Sequence, residues 1–239
     1  MNTISFDKKN VKMIAHRGVS GLECENTCAA FVAAGNRSYF GIETDTHPTA
    51  DEEFAIIHDA NTLRVSGVDA NVEELPFHEL SSIRLYDKEE GVTRNDLTVP
   101  HLADYIRICH RYDKVAILEL KGHSCPDLYP KMVELIRSLG HLEKTVFITF
   151  SKIAAVAIRQ AAPHAKVQFL INEWDDALLP WMKEHRFDLD INHKAVTEEL
   201  VHLIHENGME INCWTVNTPE RGEALATMGV DYITTNILE

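Results

Sequence analysis

The stretch that decides the fold runs from Thr145 to Ile171 and reads TVFITFSKIAAVAIRQAAPHAKVQFLI. Two apolar runs, 145–150 and 167–171, flank a segment whose apolar residues recur at helical spacing over 153–162 and which Pro163 ends. Strands this apolar are typical of a parallel sheet that is covered on both faces. The stretch therefore predicts one strand–helix–strand unit with the usual right-handed crossover.

The same alternation continues in both directions along the chain. It predicts eight strands, at residues 11–15, 40–46, 115–120, 145–150, 167–171, 187–191, 210–216 and 232–235. It also predicts seven helices, at residues 26–34, 102–110, 128–139, 153–162, 177–185, 197–206 and 219–228. Eight such strands favour an α/β fold of the (β/α)8 TIM-barrel type over an open sheet, and 239 residues is close to the ~250 typical of that barrel. No eighth helix follows the last strand, so the N-terminal segment is expected to fill its place.

One segment, residues 47–101, interrupts the alternation after the second predicted strand. It contains a strand-like run, 54–58, and a mixed stretch, 72–85. An insertion at this point of a barrel lies over the C-terminal mouth, where the active sites of such barrels are built. We therefore expect a single catalytic domain, residues 1–239, with an insertion at about 47–101.

The charge balance narrows the possible partners. The chain has 23 Lys and Arg against 37 Asp and Glu, a formal net charge of −14, which excludes nucleic acid as an expected partner. There is no polybasic stretch, no signal-like apolar segment near the N-terminus and no apolar run of ~18 residues, so no stable membrane insertion is expected. Five irregularly spaced cysteines predict a reducing, cytoplasmic location. Oligomeric state is left open.

Acidic residues end two of the predicted strands. Glu43 and Asp45 share one face of the second strand, and Glu119 and Lys121 share one face of the third. Charges at the C-terminal ends of buried strands point into the barrel mouth. Three converging carboxylates would raise one another's pKa, and a divalent cation with oxygen ligands, Mg²⁺ or Ca²⁺, would relieve this. The alternative is that these acids form salt bridges on the barrel rim.

Two histidines end strand-like runs near the same mouth. His16 and Arg17 close the first strand, and His58, followed by Asp59, closes the run in the insertion. Two histidines can supply the pair that acid–base chemistry needs, and an arginine fork binds anionic oxygens. His123 also follows the third strand closely enough to reach the mouth.

Taken together, these residues resemble the motifs of the glycerophosphodiester phosphodiesterase family. The motifs are His16-Arg17-Gly18, Glu25-Asn26-Thr27, Gly41-Ile42-Glu43-Thr44-Asp45, Thr49-Ala50-Asp51, His58-Asp59, Glu119-Leu120-Lys121, Trp214-Thr215-Val216-Asn217 and Gly229-Val230-Asp231. The resemblance extends from His16 to Asn236. It implies a (β/α)8 barrel with an insertion after the second strand. It also implies metal-dependent hydrolysis of a small glycerophosphodiester to glycerol 3-phosphate and an alcohol.

The resemblance assigns roles residue by residue. By role, they are the metal ligands Glu43, Asp45 and Glu119, the acid/base pair His16 and His58, the phosphate-binding Arg17 and Lys121, and Trp214 beside the glycerol moiety. Glu25 would orient the loop after the first strand, or touch the substrate hydroxyls or the metal. With one divalent ion and neutral histidines, the charged groups sum to about +1. A monoanionic diester would neutralise that charge, so an acidic protein can still offer it a pocket.

The sequence is compatible with more than one substrate, activity and mechanism. The chain departs from the family pattern at Cys24, His101 and Asn236, which stands where Asp is common. The substrate could be a lysophospholipid or another phosphodiester, and the barrel could bind a diester without turning it over. A Schiff-base aldolase using Lys121 is a further alternative. We expect His16 to take the nucleophile's proton and His58 to protonate the leaving oxygen, but the reverse is possible. The nucleophile is water or a substrate hydroxyl.

Overall fold

The computed structural model describes residues 2–88, 91–122 and 125–239, so His123 lies outside the described residues. The described strands are β1 (Lys12–Ala15), β2 (Gly41–Pro48), β3 (Phe54–Ile56), β4 (Arg84–Tyr86), β5 (Thr93–Thr98), β6 (Val115–Leu120), β7 (Thr145–Thr149), β8 (Lys166–Ile171), β9 (Asp188–Asn192), β10 (Ile211–Trp214) and β11 (Tyr232–Thr235). The described α-helices are α1 (Cys28–Gly35), α2 (Leu63–Ser66), α3 (Phe77–Leu80), α4 (Leu102–Arg111), α5 (Tyr129–Ser138), α6 (Lys152–Ala161), α7 (Leu179–His185), α8 (Glu198–Glu206) and α9 (Pro219–Met228).

Parallel strands close into a barrel in the order β1-β2-β6-β7-β8-β9-β10-β11. The ring closes because β1 pairs with β2 on one side and with β11 on the other; Ile14 aligns with Gly41 and with Thr234. The predicted (β/α)8 barrel is therefore confirmed. Each of the seven predicted helices corresponds to an observed one, namely α1, α4, α5, α6, α7, α8 and α9.

The alternation of side chains along each strand separates two apolar layers. Leu118 of β6 belongs to the large core between the barrel and its helices, whereas Ile117 belongs to a small cluster inside the barrel. Since side chains of a strand alternate between its faces, Glu119 points into the barrel like Ile117. The same alternation places Glu43 and Asp45 on the inner side of β2, opposite in direction to the core residue Ile42. The barrel interior is thus apolar in its middle and charged at its C-terminal end.

The segment after β2 packs on the barrel with an apolar cluster of its own. Strand β3 runs antiparallel to β2, and β4 and β5 form a separate two-stranded ribbon. Ala55, Val72, Leu80 and Leu97 are among the buried residues of this cluster. The strand at 54–58 is shorter than predicted and ends at Ile56. The next backbone N–H, at residue 57, still bonds to the carbonyl oxygen of Asp45 (3.1 Å), which brings the following residue to the barrel mouth.

The two ends of the chain lie together. Ile4 forms a parallel bridge with Leu238, and its N–H donates to the carbonyl of Ile237 at 3.0 Å. The ring of Phe6 lies against Gly222 of α9, where a Cβ would approach it to 2.7 Å. Among the described residues, every helix is too short or too polar to span a lipid bilayer.

Candidate active site

Three carboxylates meet at the C-terminal end of the barrel. Asp45 of β2 and Glu119 of β6 are aligned across adjacent strands, and Glu43 lies two residues before Asp45. One oxygen from each of the three lies within 4.8 Å of the others. The residues are only 3%, 1% and 8% exposed, in chain order. Hard oxygen donors at this spacing fit a divalent cation such as Mg²⁺ or Ca²⁺, so these three residues could hold one.

Because these acids lie close together, their pKa values differ. Burial, with Asp45 and Glu119 as neighbours, raises the pKa of Glu43 well above its usual range. Burial and Asp45 raise the pKa of Glu119 to about 7. Although burial alone would raise it, Lys121 and Arg17 hold the pKa of Asp45 at about 2. At neutral pH the cluster therefore holds one firmly ionised carboxylate and two that keep protons more readily, and a cation would compete with those protons.

Two cationic side chains contact the same cluster. Lys121 Nζ lies 2.8 Å from Glu119 Oε1 and 3.3 Å from Asp45 Oδ1. Arg17 Nε lies 3.3 Å from Asp45 Oδ2. Although burial alone would lower it, Asp45 and Glu119 raise the pKa of Lys121, so its ammonium stays charged. A charged amine is a poor Schiff-base nucleophile, which weighs against the aldolase alternative.

His16 lies where β1 leaves the barrel. Its Nδ1 is 2.7 Å from Oδ1 of Asn236, and its Nε2 is 4.0 Å from Oε2 of Glu43. Ser20 also donates to that Asn236 oxygen, at 2.9 Å, which fixes the amide. Because the amide oxygen only accepts, Nδ1 carries the proton and Nε2 presents its lone pair to the mouth. Burial and Arg17 lower the pKa of His16 to about 4, so the ring is neutral at pH 7.

The loop after His16 requires an unusual backbone. Arg17 and Gly18 both have positive φ, at 53° and 74°. This turn lets the Arg17 N–H donate to Glu43 Oε2 at 2.8 Å, and lets the Gly18 N–H donate to the Glu43 carbonyl at 3.1 Å. A Cβ at residue 18 would lie 2.6 Å from the Cβ of Ala30, so only glycine fits. The loop thereby fixes the Glu43 carboxylate and one arginine in a single turn.

His58 is held by a chain of ion pairs. Its Nδ1 lies 2.6 Å from Asp59 Oδ1, and the other oxygen of Asp59 lies 2.6 Å from Arg64 Nε. Arg64 also forms two bonds to Glu25, at 2.8 and 3.1 Å, and Glu25 pairs with Arg17 at 2.9 Å. Burial and Arg17 lower the pKa of His58, while the charges of Asp45 and Asp59 oppose the shift. The carboxylate of Asp59 fixes the orientation of the ring, but burial outweighs its effect, so the pKa of His58 stays below its usual value.

These groups line one cavity of about 130 Å³. That is small beside the ~300–1,000 Å³ of sites for drug-sized ligands, and it suits a compact group. One wall is charged and consists of His16, Arg17, Glu43, His58, Glu119 and Lys121. The opposite wall is mostly apolar and includes Ile148, Phe150, Leu170 and Trp214, with Asp190 among them. Phe150 and Trp214 meet edge to face, with centroids 5.8 Å apart. The cavity thus offers a charged half and an apolar half.

The structure brings most of the predicted site residues to this cavity. Asp45 reaches it through the carboxylate cluster, whereas Glu25 lies beside it, lining a neighbouring groove with Arg64. The sequence reasoning missed Arg64 and Asp190. Asp190 follows Asp188 by two residues on a predicted strand, the same signal that identified Glu43 and Asp45. Arg64 gave no such signal, because its partners are distant in sequence.

The chain matches one protein family and is similar to known proteins in both sequence and structure. The model of the glycerophosphoryl diester phosphodiesterase family matches residues 16–239. The chain is 26% identical, over 94% of its length and 93% of the relative's, to a glycerophosphodiester phosphodiesterase of Caldanaerobacter subterraneus subsp. tengcongensis. A glycerophosphodiester phosphodiesterase structure from Parabacteroides distasonis is similar with a TM-score of 0.80 and 26% identity, over 95% of this chain and 93% of that one. An Oleispira antarctica phosphodiesterase, solved with its product sn-glycerol-3-phosphate, has a TM-score of 0.83 at 22% identity, over 98% and 96%.

Proposed function

Because the chain belongs to the glycerophosphoryl diester phosphodiesterase family, we propose that it hydrolyses glycerophosphodiesters to sn-glycerol 3-phosphate and an alcohol by metal-dependent His/His catalysis. Phosphodiesterase activity follows from the family and from its relatives. Metal dependence and the roles of the histidines are inferred from the geometry of the site. The observation that carries them is one cavity lined by two histidines, two cationic side chains and two carboxylates, Glu43 and Glu119, which cluster with Asp45.

Glu43, Asp45 and Glu119 would hold one Mg²⁺ or Ca²⁺ ion. Their buried oxygens are within 4.8 Å of one another, and two of the three keep their protons readily in the absence of a cation. When bound, a divalent ion supplies Lewis-acid stabilisation of charge on the phosphoryl oxygens. Arg17 and Lys121 flank the same cluster and would bind the remaining phosphate oxygens. Such charge stabilisation is the main demand of phosphoryl transfer.

The two histidines would divide the proton transfers. His16 is neutral and turns its unprotonated Nε2 to the mouth, so it would accept the proton of the attacking hydroxyl. His58, oriented by Asp59, would take the second role and donate a proton to the leaving alcohol oxygen as its bond to phosphorus breaks. The attacking oxygen is that of water or of a neighbouring substrate hydroxyl. Hydrolysis in water enriched in ¹⁸O, with analysis for a cyclic phosphate, distinguishes the two.

The proposal extends to the organisation and location of the chain. We treat residues 1–239 as one catalytic domain in which 47–101 is an insertion that supplies His58 and Arg64 to the site. The five cysteines are all free, which supports the proposed cytoplasmic location.

A panel of glycerophosphodiesters with different alcohols tests the proposal. Purified protein is assayed for glycerol 3-phosphate release after chelation, and again with Mg²⁺ or Ca²⁺ restored. We expect activity with metal, no activity with chelator, and loss of activity in Glu43→Gln. The exposed Glu134 gives a matched control, Glu134→Gln, which should behave like the unaltered protein. Binding of a diester without product release, under every metal condition, would identify a binding protein instead. Release from lysophospholipids alone would shift the substrate class.

A further inference from the structure

Asp190 is a buried carboxyl group with no task in the mechanism above. It lies on β9, is 1% exposed, and lines the apolar wall of the active-site cavity. Neither of its oxygens has a hydrogen-bond partner among the described residues. Leaving a buried carboxyl without a partner costs free energy, so such a group needs an explanation.

The neighbouring strands do not explain why residue 190 is an acid. Leu170, aligned with Asp190 on β8, is apolar. Burial and Glu119 raise the pKa of Asp190 well above its usual range, and Asn212, aligned with it on β10, opposes this shift only in part. The amide of Asn212 has partners of its own: its nitrogen donates to Gln168 at 3.4 Å, and its oxygen accepts from Thr234 at 3.2 Å. An apolar residue at 190 would therefore suit the barrel interior better than an acid. A costly residue that faces a ligand cavity indicates a role toward the ligand.

The same cavity contains a second polar atom without a partner. The indole N–H of Trp214 is buried and unbonded within the described residues. The cavity therefore offers an acceptor at Asp190 and a donor at Trp214, on a mostly apolar wall. A hydroxyl group both donates and accepts hydrogen bonds, and the carbon skeleton of a small polyol packs against apolar side chains.

We propose that Asp190 is a specificity-determining residue that accepts a hydrogen bond from a hydroxyl of the substrate's glycerol moiety. This rests on the proposed function, in which Arg17 and Lys121 hold the phosphate at the opposite wall. The glycerol moiety then lies along the apolar wall, with Trp214 beside it. In either protonation state the carboxyl of Asp190 offers an acceptor oxygen to that hydroxyl.

The test compares substrates that differ only in hydroxyl groups. The substrates are glycerophosphocholine, two analogues that each lack one glycerol hydroxyl, and bis(p-nitrophenyl) phosphate, which has none. Because burial keeps this carboxyl uncharged, we expect kcat/KM for glycerophosphocholine to fall roughly 5- to 10-fold in Asp190→Ala, the effect of one hydrogen bond between uncharged groups. For the analogue that lacks the recognised hydroxyl, and for bis(p-nitrophenyl) phosphate, we expect less than about a threefold change. Asp190→Asn keeps an acceptor oxygen, so its kcat/KM for glycerophosphocholine should lie between those of the unaltered protein and Asp190→Ala.

Thermal unfolding separates recognition from a structural role. Because Asp190→Ala removes an unpartnered buried acid, its Tm should equal or exceed that of the unaltered protein. The exposed Asp104 provides a control, Asp104→Ala, with unchanged kinetics. An equal loss of kcat/KM on all four substrates would overturn the inference. If the Tm of Asp190→Ala were also lower, Asp190 would have a structural role. If the variant needed more metal for activity, Asp190 would be a cation ligand. If the unaltered protein cleaves only bis(p-nitrophenyl) phosphate, the proposed function fails. In that case, calorimetry tests the role of Asp190 independently: Asp190→Ala should weaken the binding of glycerol 3-phosphate but not that of inorganic phosphate.

Discussion

The unusual protonation of Glu119 predicts how stability without metal depends on pH. Its pKa is raised from 4.5 to about 7 by burial and by Asp45. A group whose folded-state pKa is raised contributes stability fully below its unfolded pKa, and loses that contribution as pH rises through the folded value. Here the loss falls between pH 4.5 and pH 7. At about 1.4 kcal/mol per pKa unit, it amounts to about 3 kcal/mol in the free energy of unfolding.

Glu119→Gln isolates this contribution, because the amide does not titrate in the range and still accepts from Lys121. Urea unfolding in the presence of chelator, from pH 4.5 to pH 8.5, gives the free energy of unfolding of both proteins. The unaltered protein should lose about 3 kcal/mol relative to Glu119→Gln across that range. Saturating Mg²⁺ or Ca²⁺ should abolish the loss in the unaltered protein, because the cation takes the place of the proton.

The matched control is Glu134→Gln, which alters an exposed glutamate on α5. Its stability should follow that of the unaltered protein at every pH. Parallel pH profiles for the unaltered protein and Glu119→Gln would refute the reasoning, since they would mean that Glu119 titrates at its ordinary pKa in the folded chain.

Three further predictions concern the histidines and the loop that holds them. His16→Ala and His58→Ala should each lower kcat about 10²–10⁴-fold in the glycerol 3-phosphate assay with metal present, and near-normal turnover would remove that residue from acid–base catalysis. Asn236→Leu should lower kcat up to about 100-fold with little change in KM, because the His16 ring loses its 2.7 Å partner, whereas Asn236→Asp keeps an acceptor and most of the activity. If the aspartate variant fails as badly as the leucine variant, the amide nitrogen rather than its oxygen faces His16. Gly18→Ala should cost about 1–3 kcal/mol in urea unfolding, because its Cβ would lie 2.6 Å from that of Ala30, and an unchanged midpoint would contradict the fit.

Much of this arrangement could be predicted because it follows from local periodicity. Apolar runs identified every barrel strand, and the two-residue repeat placed Glu43 with Asp45 and Glu119 with Lys121 on inward faces. Whether those two pairs meet depends on the alignment of Asp45 with Glu119 across strands. That alignment is set by barrel closure, which local patterns do not encode, although eight strands made closure the favoured expectation.

Other features depend on contacts between distant segments. Arg64 lies on the four-residue helix α2, and its pairing with Glu25 forms only when the segment after β2 folds against the loop after β1. The hydrogen bond from His16 to Asn236 joins residues 220 positions apart, so no spacing rule could predict it. Asp190 is different, since its strand pattern did mark it. Asp188 and Asp190 alternate with apolar residues on β9, but only the surrounding strands show that the carboxyl of Asp190 has no hydrogen-bond partner among the described residues.

The ion-pair chain through Arg64 has a consequence for how this sequence can diverge. Arg64 pairs with both Asp59 and Glu25, and Glu25 pairs with Arg17, so these ion pairs join the segment after β2 to the loop that presents Arg17. A reversal of charge at Arg64 would break both of its ion pairs, whereas a reversal at Asp59 would affect His58 and one at Glu25 would affect Arg17. Substitutions here should therefore be inherited in compensating sets, while the exposed residues of the same insertion drift freely. Among descendants of this sequence, covariation at these three positions would indicate which lineages retained phosphodiesterase activity.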